Sequence, residues 1–192
     1  VWSPFVLLGV SLSRGHVRGR IGVGEMRKLT QANLNNAYAE ESMAHLRYTV
    51  YGEVAEREGK PNIARLFRAV AFSEKVHATN HCMEVGGIGH SDRNLRMAVE
   101  RETYDLEEVY PAYRAIAEIQ GEKGARRTAD WVLGSKQVHV AMYGKASQAA
   151  EEGHDMDLGT VFICGVCGNT VEEVAPSSCP VCEAPQRRFV KF

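Results

Sequence analysis

Two groups of residues in this 192-residue chain have types and spacings suited to holding metal ions. The first lies near the C-terminus, where Cys164-Gly-Val-Cys167 is followed after eleven residues by Cys179-Pro-Val-Cys182. Two Cys-x-x-Cys knuckles bind one tetrahedral ion, which thiolate ligands make iron or zinc. Disulfides or a redox dithiol are the alternative, and two knuckles this close together favour one metal. So short a segment cannot build a sufficient core, so the metal is expected to supply folding energy too. The second group is ionisable. Glu74-x-x-His77 puts a carboxylate and an imidazole one helical turn apart, where they can share a metal. Alone that pair is weak, and its weight comes from the helices around it. The fifth cysteine, Cys82, has no partner motif and is expected to be a buried structural thiol.

Four segments carry helical periodicity with punctuated ends. The first runs from about Thr30, a candidate N-cap, to Gly59, and the second from Lys60-Pro61 to Gly86-Gly87. A cap at Ser91 or Asp92 opens the third, which ends near Gly121, and the fourth runs from about Glu122 to Gly153. Pro111 should kink the third or break its ladder locally. Each inward stripe is apolar at its ends and ionisable in the middle. Glu41 lies between Leu34 and Tyr48. Glu74, His77 and His81 lie between Val70 and Val85. Glu102 and Asp105 lie between Ala98 and the run Val109, Ala112, Ile116 and Ile119. Lys136 and His139 lie between Val132 and Tyr143.

One such Glu would ordinarily be a solvated residue or half of a salt bridge. Four helices aiming charges at one level of a bundle core are harder to explain that way, because buried charges must be paired or metal-bound. One Glu from each of two helices plus Glu-x-x-His motifs from the others is the ferritin-like di-iron arrangement. Carboxylates with a minority of imidazole suit iron or manganese. The expected fold is an all-α ferritin-like four-helix bundle over residues 28–153, with a small four-cysteine domain over 154–192. Residues 1–27 are expected to be extraneous or disordered, because Phe5–Val10 is apolar and Arg14, Arg18 and Arg20 follow it, the reverse of a secretory signal. With 23 basic against 24 acidic residues, no long-range field favours nucleic acid or an acidic membrane. No apolar run approaches the roughly 18–20 residues of a membrane span.

The chain resembles the rubrerythrin family. The resemblance rests on Ala39–Tyr48, on Pro61–Arg68, on Ala71–Ala78, on Glu102–Asp105 before Tyr110-Pro111, and on the rubredoxin-like tail. It implies a cytoplasmic di-iron peroxidase that reduces hydrogen peroxide to water. Electrons would enter through a rubredoxin-like iron at Cys164, Cys167, Cys179 and Cys182, from an NAD(P)H-dependent rubredoxin reductase. By the same resemblance Glu41 and Glu102 are terminal ligands, Glu74 is a bridging ligand, and His77 and His139 are the imidazoles. Tyr48 and Tyr110 would orient carboxylates through their hydroxyls.

Two positions depart from the family pattern. Asp105 stands where the family has Glu, and Lys136 stands where it has a second bridging Glu. An ammonium cannot ligate while protonated. Lys136 is therefore expected to pair with Glu41, Glu74 or Glu102 and to leave one metal position poor or empty. That departure keeps open a metal-sequestering or electron-transfer protein as the alternative function. A homodimer with exchanged helix pairs is also expected. The second helix would be about 38 Å long, while the Gly86–Ser91 linker reaches only about 20 Å. Each site would then mix Glu41, Glu74 and His77 with Glu102, Asp105 and His139 of the partner subunit.

Overall fold

The computed structural model describes residues 26–192, so the expectation for residues 1–25 lies outside them. The chain divides into two compact units, one ending at Gly86 and the other running from Gly87 to Phe192.

The first unit is a helical hairpin of α1 (Lys28–Arg57) and α2 (Pro61–Val85). Gly59 turns the chain between them at a φ of 72°, which a residue with a Cβ rarely adopts. Thr30 is not the N-cap: α1 begins at Lys28 after Arg27, with no side-chain cap. The seam between the helices is made of small residues. Ala64, Ala71 and Ala78 recur every seven positions on α2 and are buried, as are Gly52 and Ala55 on α1. A Cβ on Gly52 would stand 3.3 Å from Arg68 Cγ and 3.4 Å from the Ala64 carbonyl oxygen, so close approach requires glycine there. His45 Nδ1 donates to the Ala71 carbonyl at 2.8 Å across the seam. A seam of alanines buries little, and Leu46, Leu66 and Phe72 stay 65%, 63% and 56% exposed within the chain. Cys82 is half-buried rather than buried, and its thiol lies within hydrogen-bonding reach of the Tyr38 hydroxyl.

The second unit holds α3 (Ser91–Tyr104), a π-helical turn (Asp105–Val109), α4 (Tyr110–Ile119) and α5 (Lys123–Glu151). Neither Ser91 nor Asp92 is the N-cap of α3. That position is His90, and Asn94 ties the entry by accepting from Gly89 N at 2.8 Å and donating to Gly89 O at 2.9 Å. Pro111 has no N–H to donate to the carbonyl four residues back, and the ladder widens into the π turn just before it. The turn shifts the buried face. Glu102, Asp105, Tyr110, Arg114 and Ala117 are at least half-buried, with one step of five at the turn among steps of three and four. The expected continuation through Ala112, Ile116 and Ile119 is exposed, Ile119 by 79%. Constant helical periodicity missed the extra residue that a π turn carries.

The tail is a three-stranded antiparallel sheet in the order β2-β1-β3, with β1 Val161–Cys164, β2 Thr170–Glu172 and β3 Phe189–Lys191. Ile163 pairs with Thr170 on one side and Val190 on the other, which places Cys164 at the end of the central strand. The tail seats on α5 at Gly134, where an added Cβ would lie 3.0 and 3.3 Å from the two Val181 methyl carbons. Gly134→Leu should therefore weaken that seat by about 1–3 kcal/mol through overpacking. Hydrogen exchange of the tail amides should rise, and unchanged protection would show that Gly134 is not a contact constraint.

Candidate metal centres

In the tail, the four cysteine sulfurs lie within 4.8 Å of one another. Cys164 Sγ is 3.6 Å from Cys182 Sγ, and Cys167 Sγ is 3.5 Å from Cys179 Sγ. Those gaps exclude disulfides, whose sulfurs are about 2.05 Å apart. They approach the edge of about 3.8 Å that a tetrahedron with metal–sulfur distances near 2.3 Å would have. Burial pushes the Cys164 thiol up, but backbone N–H groups of Cys167 and Val166 win and bring its pKa down to about 7. Burial raises Cys167 well above the ordinary thiol range. Four free thiols, unequal in acidity and aimed at one point, fit a tetrahedral iron or zinc.

On the helical hairpin, donor atoms of Glu41, Glu74 and His77 also lie within 4.8 Å of one another. His77 Nδ1 is 3.1 Å from Glu74 Oε2. A hydrogen bond with Glu74 raises the pKa of Glu41, while bonds from Glu41 and His77 lower that of Glu74. This triad fits a divalent metal.

The residues expected from α3 and α5 also converge, around a different occupant. Lys136 Nζ donates to Glu102 Oε1 at 2.8 Å and to Asp105 Oδ2 at 2.9 Å. Burial would lower the pKa of Lys136, and the two carboxylates overcome it and raise it. His139 Nδ1 donates to Glu102 Oε2 at 3.2 Å, and the Thr170 hydroxyl from β2 lies 2.9 Å from His139 Nε2. Arg101 stands 2.8 Å from Asp105 Oδ1 as an ion pair, without the angle of a hydrogen bond, so that buried oxygen has none. As arranged, this half does not fit a metal. The pairing with Glu102 matches expectation. The pairing with Asp105 was not expected. Arg101 was legible as the i,i+4 neighbour of Asp105. Thr170 was not, since 31 residues separate it from His139. The contacts of Tyr48 are aromatic, with ring centroids 6.2 Å from Tyr51 and 6.3 Å from Phe67, and Tyr110 packs edge-on against Tyr113 at 5.6 Å.

A helical domain carrying acidic–imidazole clusters, joined to a four-cysteine tail, defines a ferritin-like metalloprotein with a rubredoxin-like module. The rubrerythrin family model matches residues 32–147, and that of the rubrerythrin rubredoxin-like domain matches 162–190. Rubrerythrin-2 of Clostridium acetobutylicum is 36% identical over 178 residues, which cover 85% of this chain and 97% of that one. Nigerythrin of Nitratidesulfovibrio vulgaris is 28% identical over 85% of this chain and 86% of its own. A solved structure of partially reduced nigerythrin aligns over 92% of this chain and 90% of that one, with a TM-score of 0.50 and 26% identity. The chain belongs to the rubrerythrin family. It carries that family's di-iron type of domain and a four-cysteine site that fits iron.

Proposed function

We propose that the protein is a non-haem iron peroxidase that reduces hydrogen peroxide to water, with electrons passed from the four-cysteine iron. One observation carries this reading: a carboxylate–imidazole triad able to hold a metal and a closed four-sulfur site able only to pass electrons occur in one chain. Reducing one peroxide to two waters consumes two electrons and two protons. Iron, when bound, supplies the redox change and polarises the O–O bond. Glu41, Glu74 and His77 would hold it, with both carboxylates offsetting its charge. The four cysteines leave no open position for substrate, so the tail is the electron entry point, served by an NAD(P)H-dependent rubredoxin reductase. The reading is of a cytoplasmic protein, and among the described residues no helix is long and apolar enough to cross a membrane.

The reading includes a homodimer with exchanged helix pairs. The connection from Val85 to Ser91 is only residues 86–90, which reach about 17 Å, while the 25 residues of α2 span about 38 Å. The stripe Ile63, Leu66 and Val70 that should face a bundle core is exposed within the chain. A second copy supplies the missing cover.

The contact of Lys136 with Glu102 and Asp105 favours a second reading, metal sequestration or electron transfer without peroxide turnover. One experiment separates them. The tail iron is reduced without oxygen, peroxide is added, and reoxidation is followed by the return of its visible absorbance. Peroxidase function gives repeated turnover with two electrons consumed per peroxide when a reductase is present. Absence of peroxide-dependent reoxidation leaves the second reading.

A further inference from the structure

We infer that the α3–α5 half of the helical site is closed to metal by the chain's own cations, so that each chain holds one helical iron, at Glu41, Glu74 and His77, instead of two. The inference rests on the reading that this triad binds iron.

The donor atoms of that half are accounted for one by one. Both oxygens of Glu102 accept hydrogen bonds, one from Lys136 and one from His139. One oxygen of Asp105 accepts from Lys136, and the other faces the Arg101 guanidinium. A carboxylate can only accept, so His139 Nδ1 donates to Glu102, and its Nε2 lies 2.9 Å from the Thr170 hydroxyl. Both nitrogens of His139 therefore have partners within the chain. The two departures from the family pattern also complement each other. Asp105 is shorter than Glu by a methylene, and the longer Lys136 side chain makes up that reach, so that one ammonium spans both carboxylates. Side-chain exposures of 16% for Lys136, 16% for Glu102 and 7% for Asp105 keep this contact away from water.

Charge leads to the same count. Glu41 and Glu74 match one divalent ion. Glu102 and Asp105 are matched by Lys136 and Arg101. A second divalent ion would bring two positive charges with no carboxylate left to oppose them, in a place where unpaired charge is costly.

The test is a metal count on the full-length, iron-loaded protein, with tail occupancy read from its four-cysteine absorbance, plus Mössbauer spectroscopy for an exchange-coupled pair. Two irons per chain and no coupled pair are expected. Three irons with a coupled pair would overturn the inference and leave the helical iron reading standing. One iron, confined to the tail, would overturn both. Lys136→Glu should raise the count from two to three and create the coupled pair, while Lys136→Met, which removes the charge without adding a ligand, should stay at two. A folded Lys136→Glu protein that stays at two would show that Lys136 does not close the site. If that variant fails to fold, the wild-type count still decides.

Discussion

Stripping the tail metal, or replacing Cys164 with Ser, should unfold residues 161–191 while the helices persist. The reason is the composition of the tail core. Its buried residues are Cys164, Cys179 and Ala184, with Cys167, Val181, Cys182 and Phe189 packed around them. Cys164 and Cys179 are each 1% exposed, and no larger side chain is as fully buried among the described residues. Strands of four, three and three residues cannot hold such a core without the metal. Structural zinc in comparable small modules contributes an apparent 10–16 kcal/mol, roughly, at neutral pH, so losing one thiolate should cost several kcal/mol. Far-UV circular dichroism should change little, because helices dominate it. Limited proteolysis should cut the tail rapidly, and the four-cysteine absorbance should vanish. A metal-free tail that resists protease as well as the loaded one would contradict this account.

Under the proposed exchange of helix pairs, Leu66→Asp should turn dimers into monomers. Leu66 is 63% exposed within the chain and lies on the stripe with Ile63 and Val70 that the proposed exchanged arrangement would cover. Burying a leucine side chain contributes about 1.5–3 kcal/mol, and a two-fold dimer counts it twice. Two buried carboxylates would add a desolvation penalty of several kcal/mol each. Together these should weaken association by at least about a thousandfold. Sedimentation at micromolar concentration should show half the wild-type mass. A wild-type protein that sediments as a metal-loaded monomer would remove the exchanged dimer altogether.

What the sequence disclosed depended on how local each feature was. The four cysteines were legible because ligand spacing is written along the chain. Glu74 and His77 were legible because one helical turn separates them. The stripe of α3 was legible only up to Asp105, where the π turn changed the period. Lys136 was visible as an anomaly, and Glu102 as a partner, since an unpaired ammonium is costly wherever water is excluded. Its second partner needed the geometry, because it depends on how far a lysine reaches past a short aspartate. Thr170 comes from another structural element, and no periodicity within α5 leads to it. The caps failed for a related reason. Thr30 and Ser91 have the right side chains, yet α1 starts before Thr30, and the entry to α3 is held by Asn94, whose partner Gly89 lies outside the helix.

The π turn at Asp105–Val109 reads as a one-residue insertion accommodated inside a helix. Deleting a single residue there would restore an ordinary α ladder and shorten the five-residue step from Asp105 to Tyr110 to four, so that Tyr110, Arg114 and Ala117 would stay on the face of Glu102. Ala117 would remain buried and Ile116 exposed. The chain therefore stands one codon from an uninterrupted α-helix with the same facing, whereas forcing the turn into α geometry at its full length would carry α4 round by about 100° relative to Glu102.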